Sequence, residues 1–398
     1  MEYLRKQYNT LKERIEEPRK FIQVIAGPRQ VGKSTLVSQV LRQIELAYMM
    51  EVADGVDSKD TDWIRRVWES ARTTMQLRKK KEFLLVIDEI QKIDNWSDAV
   101  KREWDEDTRM GLNLKVVLLG SSRLLLKKGL TESLAGRYEL IRLGHWNYLE
   151  MQEAFGFTLD EYIYFGGYPG PAHLIKDERR WKKYVKDSLV APAIEKDVIM
   201  TSNIYKPALM KRLFELGCGY SAEVLSLTKL IGQLQDAGNV TTLAGYLEIL
   251  NQCSLLAALQ KYAKDDARKY NSIPKYQVYN NALMTAYKGR TFEKDRIDPR
   301  VWGRWVESAV GAYLLSMAEE LEYQLYYWRE GTDEVDFVIV NGGECIAIEV
   351  KSGRRGMNSG LPKFVKAFHP KRSFVVGTSG VSLEDFLKSD LEELIHWT

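Results

Sequence analysis

"FIQVIAGPRQVGKSTLVSQV", Phe21 to Val40, decides how the rest of the chain is read. An apolar run comes first. A glycine-containing turn follows, "GPRQVGKST" from Gly27 to Thr35, and it satisfies the pattern GxxxxGK[ST]. The residues after it have helical periodicity. Strand, glycine loop and helix in this order are the context a phosphate-binding loop requires. Gly27 and Gly32 let the backbone curl so that its N–H groups face phosphate oxygens, and the helix N-terminus adds positive potential. The expected nucleotide-binding set is Gly27, Pro28, Arg29, Gln30, Val31, Gly32, Lys33, Ser34 and Thr35. Lys33 is expected at the outer phosphates and the Ser34 hydroxyl on Mg²⁺.

A second carboxylate is needed to hold that metal. "FLLVIDEIQ" offers one: Phe83 to Ile87 read as a buried strand ending in Asp88 and Glu89. Ligands of open α/β sheets bind at the carboxyl ends of strands. Asp88 is therefore expected to take Mg²⁺ and Glu89 to act as general base on water. ATP is favoured over GTP because no guanine-reading "NKxD" stretch occurs.

Working outward, "IELAYMM", "LKVVLLGSS" and "YELIRLG" are further short apolar runs separated by helical patterns. Near-continuous apolar strands of this kind belong to a parallel sheet covered on both faces. The 398 residues exceed one typical domain. The net charge of +3 permits nucleic-acid binding without arguing for it. Cys218, Cys253 and Cys345 are scattered and show no metal-ligand spacing, which suits a reducing compartment. The charged N-terminus lacks a signal-peptide core, and no apolar run is long enough to span a membrane. A cytoplasmic protein with no membrane partner is expected.

"GPRQVGKST" with "DEIQ" resembles the AAA-type ATPase family of archaea and bacteria that carries a C-terminal domain of unknown function. The resemblance runs from about residue 20 to the end. It implies an α/β fold: an AAA-type P-loop sheet (1–145), a helical lid (146–205), a winged-helix-like domain (206–270) and a nuclease-like domain (271–398). It implies a sensor at Ser121 or Ser122 in "VVLLGSSR", and an arginine finger at Arg137 in "ESLAGRYEL", with Arg123 next in order. An arginine finger acting in trans would bring a homo-oligomer. The family's Pro-containing continuation is replaced here by "GHWNYLEMQEAF", which leaves the start of the lid open.

Residues 227–262 resemble the family's winged-helix segment. Leu227, Leu230, Ile231 and Leu234 recur at helical spacing, and Gly238–Asn239 mark a turn. Between Leu209 and Tyr270 seven Lys/Arg stand against six Asp/Glu. A phosphate-contacting surface needs more positive charge than that. Packing or protein contact is the stronger expectation here, with DNA or RNA binding beside it. "KDDARKYNSIPK", Lys264 to Lys275, reads as a linker.

The chain's last quarter holds "DEVDFVIVNGGECIAIEVKSG", Asp333 to Gly353. Gly342–Gly343 is a strong hairpin turn, pairing Asn341 with Glu344 and Asp336 with Glu349. A turn at Asn341–Gly342 would make the two acids diagonal neighbours. In either register they are expected on one face, with Lys351 two residues beyond Glu349. Glu307 borders the apolar stripe of "GRWVESAVGAYLLSMAEEL" and is expected half-buried beside them. Glu307, Asp336, Glu349 and Lys351 resemble the PD-(D/E)xK nuclease core. That resemblance implies a second Mg²⁺ or Mn²⁺ site. A structural acid–lysine network in a degenerate nuclease fold is equally expected. Two functions follow: an ATPase acting on or near nucleic acid, and a nucleotide-switched protein-interaction scaffold with an inactive nuclease-like domain.

Overall fold

The computed structural model describes residues 2–120, 130, 133–199, 204–234, 239–263, 272–353 and 360–396. The expected sensor at Ser121 or Ser122, its neighbour Arg123 and most of the linker stretch lie outside them. Two compact units are present, residues 1–144 and 145–398.

The first unit is a five-stranded sheet of order β2-β3-β4-β1-β5. Its strands are β1 Ile22–Ala26, β2 Tyr48–Val52, β3 Phe83–Asp88, β4 Leu114–Gly120 and β5 Tyr138–Arg142. All pairs are parallel. The apolar runs explain why. Every residue of β1, β3 and β4 is buried, so both faces need cover. Helices α1 Gln7–Glu16 and α2 Lys33–Leu41 supply one side through Leu11, Leu36 and Val40. Helices α3 Asp62–Leu77 and α4 Trp96–Met110 supply the other through Trp68, Val100 and Trp104. Alternation along β1 sends Ile22 and Val24 to the second cluster and Ile25 to the first.

The second unit begins with helices α5 Tyr148–Phe155 and α6 Leu159–Phe165, each opened by a capping box from Asn147 and Thr158. After α7 Glu178–Tyr184 and two π-helical segments, Val185–Val190 and Ala193–Ile199, come α8 Pro207–Gly219, α9 Leu227–Ile231 and α10 Val240–Gln252. An antiparallel pair follows, β6 Leu256–Leu259 with β7 Lys275–Val278. The expected boundary at 270/271 therefore falls inside a hairpin, and Lys275, read as the end of a linker, is a strand residue with no exposure.

Short helix α11 Asn281–Ala286 and α12 Phe292–Arg296 lead to the long α13, Pro299–Met317. A four-stranded sheet of order β11-β10-β9-β8 completes the unit. Its members are β8 Gln324–Glu330, β9 Asp333–Asn341, β10 Glu344–Lys351 and β11 Arg372–Gly377. Gly342 and Gly343 both take positive φ, 57° and 87°. That is the mirror-image turn of a tight two-residue hairpin, and Asn341 faces Glu344. Helix α14, Gly360–Phe368, covers one sheet face with Phe364 against Trp328, Val335, Val338 and Ala347. No helix among the described residues is long and apolar enough to cross a membrane.

Candidate functional site

The loop between β1 and α2 is built as its spacing implies. Gly32 has φ of 92°, a conformation open to glycine at little cost. Gly27 is needed for a different reason: a Cβ there would overlap the Leu143 carbonyl oxygen at the end of β5. Gln30 also takes positive φ, 62°. Gly27, Pro28 and Val31 are buried, Arg29 and Gly32 half-buried, and Gln30 and Thr35 exposed. Lys33 is buried, with its ammonium donating to the carbonyls of Gly27 at 2.9 Å and Pro28 at 2.7 Å. The lysine thus folds back across its own loop.

Asp88 ends β3 next to this loop. Its Oδ2 accepts from the Ser34 hydroxyl at 2.7 Å, and its Oδ1 from the Glu89 N–H at 2.8 Å. Glu89 sits at φ of 54° and accepts from the Gln91 amide at 2.5 Å. Positive φ in a non-glycine residue marks a position that the surroundings hold in place. Hydroxyl and carboxylate oxygens side by side form the hard-oxygen set that Mg²⁺ prefers, so Ser34 and Asp88 fit that ion. Sequence reasoning missed Arg5. Its guanidinium is buried and donates to the Val31 carbonyl at 3.4 Å and the Gly144 carbonyl at 3.1 Å, bracing the loop from the N-terminal segment.

Residues 19–152 match the family model described as an AAA domain. The first unit is an AAA-type P-loop domain. Beyond it, residues 156–294 match a domain of unknown function (DUF8612) and residues 302–389 another (DUF4143). Two relatives align with most of the chain. An uncharacterized protein of Haemophilus influenzae is 21% identical over 351 residues, covering 83% of this chain and 82% of its own. One of Methanocaldococcus jannaschii is 25% identical over 343 residues, covering 80% and 72%. Among solved structures, the Walker-type ATPase of Pyrococcus abyssi superposes with a TM-score of 0.50 at 14% identity, covering 71% of this chain and 94% of that one. At such identity the likeness concerns the fold.

Arg137 does not stand at the P-loop of its own AAA domain. It precedes β5, and its carbonyl accepts from the N–H of Ile22, the first residue of β1. That is the amino edge of a parallel sheet whose carboxyl edge carries Gly27 and Asp88. Five residues of strand separate the edges, about 16 Å at the usual rise. Its guanidinium is committed to Asp105 of α4, at 2.8 and 3.0 Å. A finger role within one chain is thus excluded by topology; only a neighbouring chain's nucleotide remains within that expectation.

In the second unit the four expected residues are not brought together as a set. Glu307 on α13 is half-buried, as its position at the edge of the apolar stripe implies. Asp336 joins it, but the third acid is Glu334: the carboxylates of Glu307, Glu334 and Asp336 lie within 4.8 Å of one another, the one such group among the described residues. Glu349 is outside this group and pairs with Lys351 at 3.0 Å. A bulge accounts for the difference. The β8–β9 register shifts between Tyr326 and Trp328. Val335 and Val338 consequently reach the same apolar cluster although three residues apart. Strict alternation, on which the shared face of Asp336 and Glu349 rested, fails at Asp336. Alternation along β10 meanwhile carries Glu349 to the side of Cys345 and Ala347. Asp336 Oδ2 instead accepts from the Val350 N–H at 2.7 Å.

The other missed residue is Lys275 of β7. Its ammonium lies 2.5 Å from Glu307, 3.6 Å from Glu334 and 3.7 Å from Asp336, and donates to the Asp336 carbonyl at 3.1 Å. Burial alone would lower its pKa, but Glu307, Asp336 and Glu334 more than offset that and hold it charged. Burial pushes Glu307 up to about 8, against the pull of Lys275. No motif pattern points to Lys275, because it belongs to another strand of another segment.

Proposed function

We propose that the chain is a Mg²⁺-dependent ATP-hydrolysing switch or motor of the cytoplasm. One observation carries this reading: Ser34 and Asp88 meet at 2.7 Å beside a loop whose lysine, Lys33, is ready to exchange carbonyl partners for phosphate oxygens. Bound Mg²⁺ supplies charge neutralisation at the outer phosphates. Ser34 and Asp88 would hold it. The loop N–H groups and the start of α2 bind and orient the triphosphate. Glu89, held by Gln91, orients the attacking water and accepts its proton. Expected outcomes are loss of nucleotide binding in Lys33→Ala and retained binding without turnover in Glu89→Gln, both read by ATP titration and phosphate release. Full turnover in Lys33→Ala would remove the assignment.

For the second unit, nuclease-like and winged-helix-like domains that act on DNA or RNA are the first reading. A nucleotide-switched scaffold for a protein partner is the second, and two observations favour it. The exposed positions of α10, Val240, Thr241, Ala244, Gly245 and Glu248, include no cation. The electrostatic share of nucleic-acid affinity comes from Lys and Arg at phosphates. A lysine also already neutralises the carboxylate cluster. The test is anisotropy with single- and double-stranded DNA and RNA at low salt, with Mn²⁺-dependent cleavage beside it. The scaffold reading expects neither; cleavage abolished by both Asp336→Ala and Lys351→Ala would restore the nuclease.

A further inference from the structure

Three carboxyl groups packed this closely repel one another when ionised, unless one keeps its proton or a cation stands among them. In metal-dependent hydrolases that cation is a divalent ion. Here it belongs to the chain. Lys275 has no solvent exposure, and its ammonium faces Glu307, Glu334 and Asp336 together. The Asp336 carbonyl, at 3.1 Å, and the ring of Phe337, 4.8 Å away, are further neighbours of the ammonium. Asp336 is fixed further by the Val350 N–H. The residues present therefore do not fit a metal. A divalent ion drawing on these three acids would have to stand beside a fully buried ammonium.

We propose that Lys275 is the resident cation of this cluster: it takes the position a divalent metal would need, and it bars one from binding. The lysine comes from the β6–β7 hairpin, whereas the acids come from α13 and β9. The same ion contacts thus tie the hairpin to the sheet, and the cluster works as a joint rather than a reaction centre. The inference deepens the second reading above. Its test reads metal binding, not cleavage or nucleotide turnover, so either can fail while the other stands.

The experiment uses the nucleotide-free 398-residue chain carrying Asp88→Asn, which silences the P-loop metal position. Bound Mn²⁺ is counted by electron paramagnetic resonance. The parent is expected to hold no Mn²⁺ that a further Asp336→Asn removes. Lys275→Ala and Lys275→Met are expected to gain one Mn²⁺ per chain, at least about tenfold tighter than the parent, lost again on adding Asp336→Asn. Lys275→Arg should behave as the parent. An Asp336-dependent ion in the parent overturns the proposal, as do lysine-deleted chains that are folded by circular dichroism yet gain nothing. The parent measurement needs no lysine variant, so it decides the matter even if those chains do not fold.

Discussion

Glu307 shows what a single residue decides. Its carboxyl is pushed up to about 8 in the folded chain from an ordinary 4.5. A raised carboxyl contributes stability at pH below 4.5, and that contribution fades as pH climbs through about 8. The native chain should therefore lose stability between those values. Glu307→Gln, which imitates the protonated form, should flatten that slope. Urea unfolding at several pH values measures both. Half of Glu307's character was legible from its place at the edge of an apolar stripe. The other half was not, because Lys275 is distant in sequence and sits at the end of a charge-rich stretch that looks like a linker. Gly27 teaches the same lesson within the AAA domain. Its motif position was readable, but its closest constraint, the Leu143 carbonyl, comes from a different strand. Gly27→Ala should cost about 1–3 kcal/mol through overpacking, seen in thermal unfolding without nucleotide.

Elements carry the next level of explanation. "FGGYPGP" breaks the helical pattern of its region, and the fold supplies the reason. A Cβ at Gly166 would overlap the Asn280 side chain, and the Gly167 N–H donates to Asn280 Oδ1 at 3.1 Å. The same oxygen caps α11 through the Ala282 N–H, and the Asn280 amide nitrogen faces His145 Nδ1 at 3.3 Å. Asn280→Ala would leave buried donors unsatisfied and should cost about 2 kcal/mol or more, measured by denaturant unfolding. At β5, Arg137→Ala breaks a partly exposed pair with Asp105. It should cost about 0.5–1 kcal/mol and leave ATP turnover unchanged. A large loss of turnover with little loss of stability would instead mark a finger acting on a neighbouring chain. The five strands of the AAA domain were readable because each holds a short apolar run, and the inner three, β1, β3 and β4, are buried on both faces. The pairing of Asn341 with Glu344 was readable from two adjacent glycines. The bulge of β8 and β9 was not, because nothing in a local alternation announces where a register slips.

At the scale of the whole molecule, the three segments expected beyond the AAA domain form one compact unit. β7 belongs to the hairpin by pairing and to the carboxylate cluster by Lys275. A fragment comprising residues 145–398 is therefore expected to unfold in one cooperative transition. Chains cut at 270/271 should fail to fold, because the cut strips β6 of its partner and the cluster of its cation. Limited proteolysis and circular dichroism of the three fragments test this. By itself, the sequence determined what depends on neighbours along the chain: the P-loop, the strand ending in Asp88 and Glu89, the parallel AAA-type sheet and the tight turn of the last hairpin. Tertiary structure alone decided which distant groups meet. It committed Arg137 to Asp105, exchanged Glu349 for Glu334 beside Asp336, and brought Lys275 into the acids. The physical reason is that charges cluster by distance in space, and a buried ammonium is stabilised only by carboxylates that the fold, not the motif, carries to it.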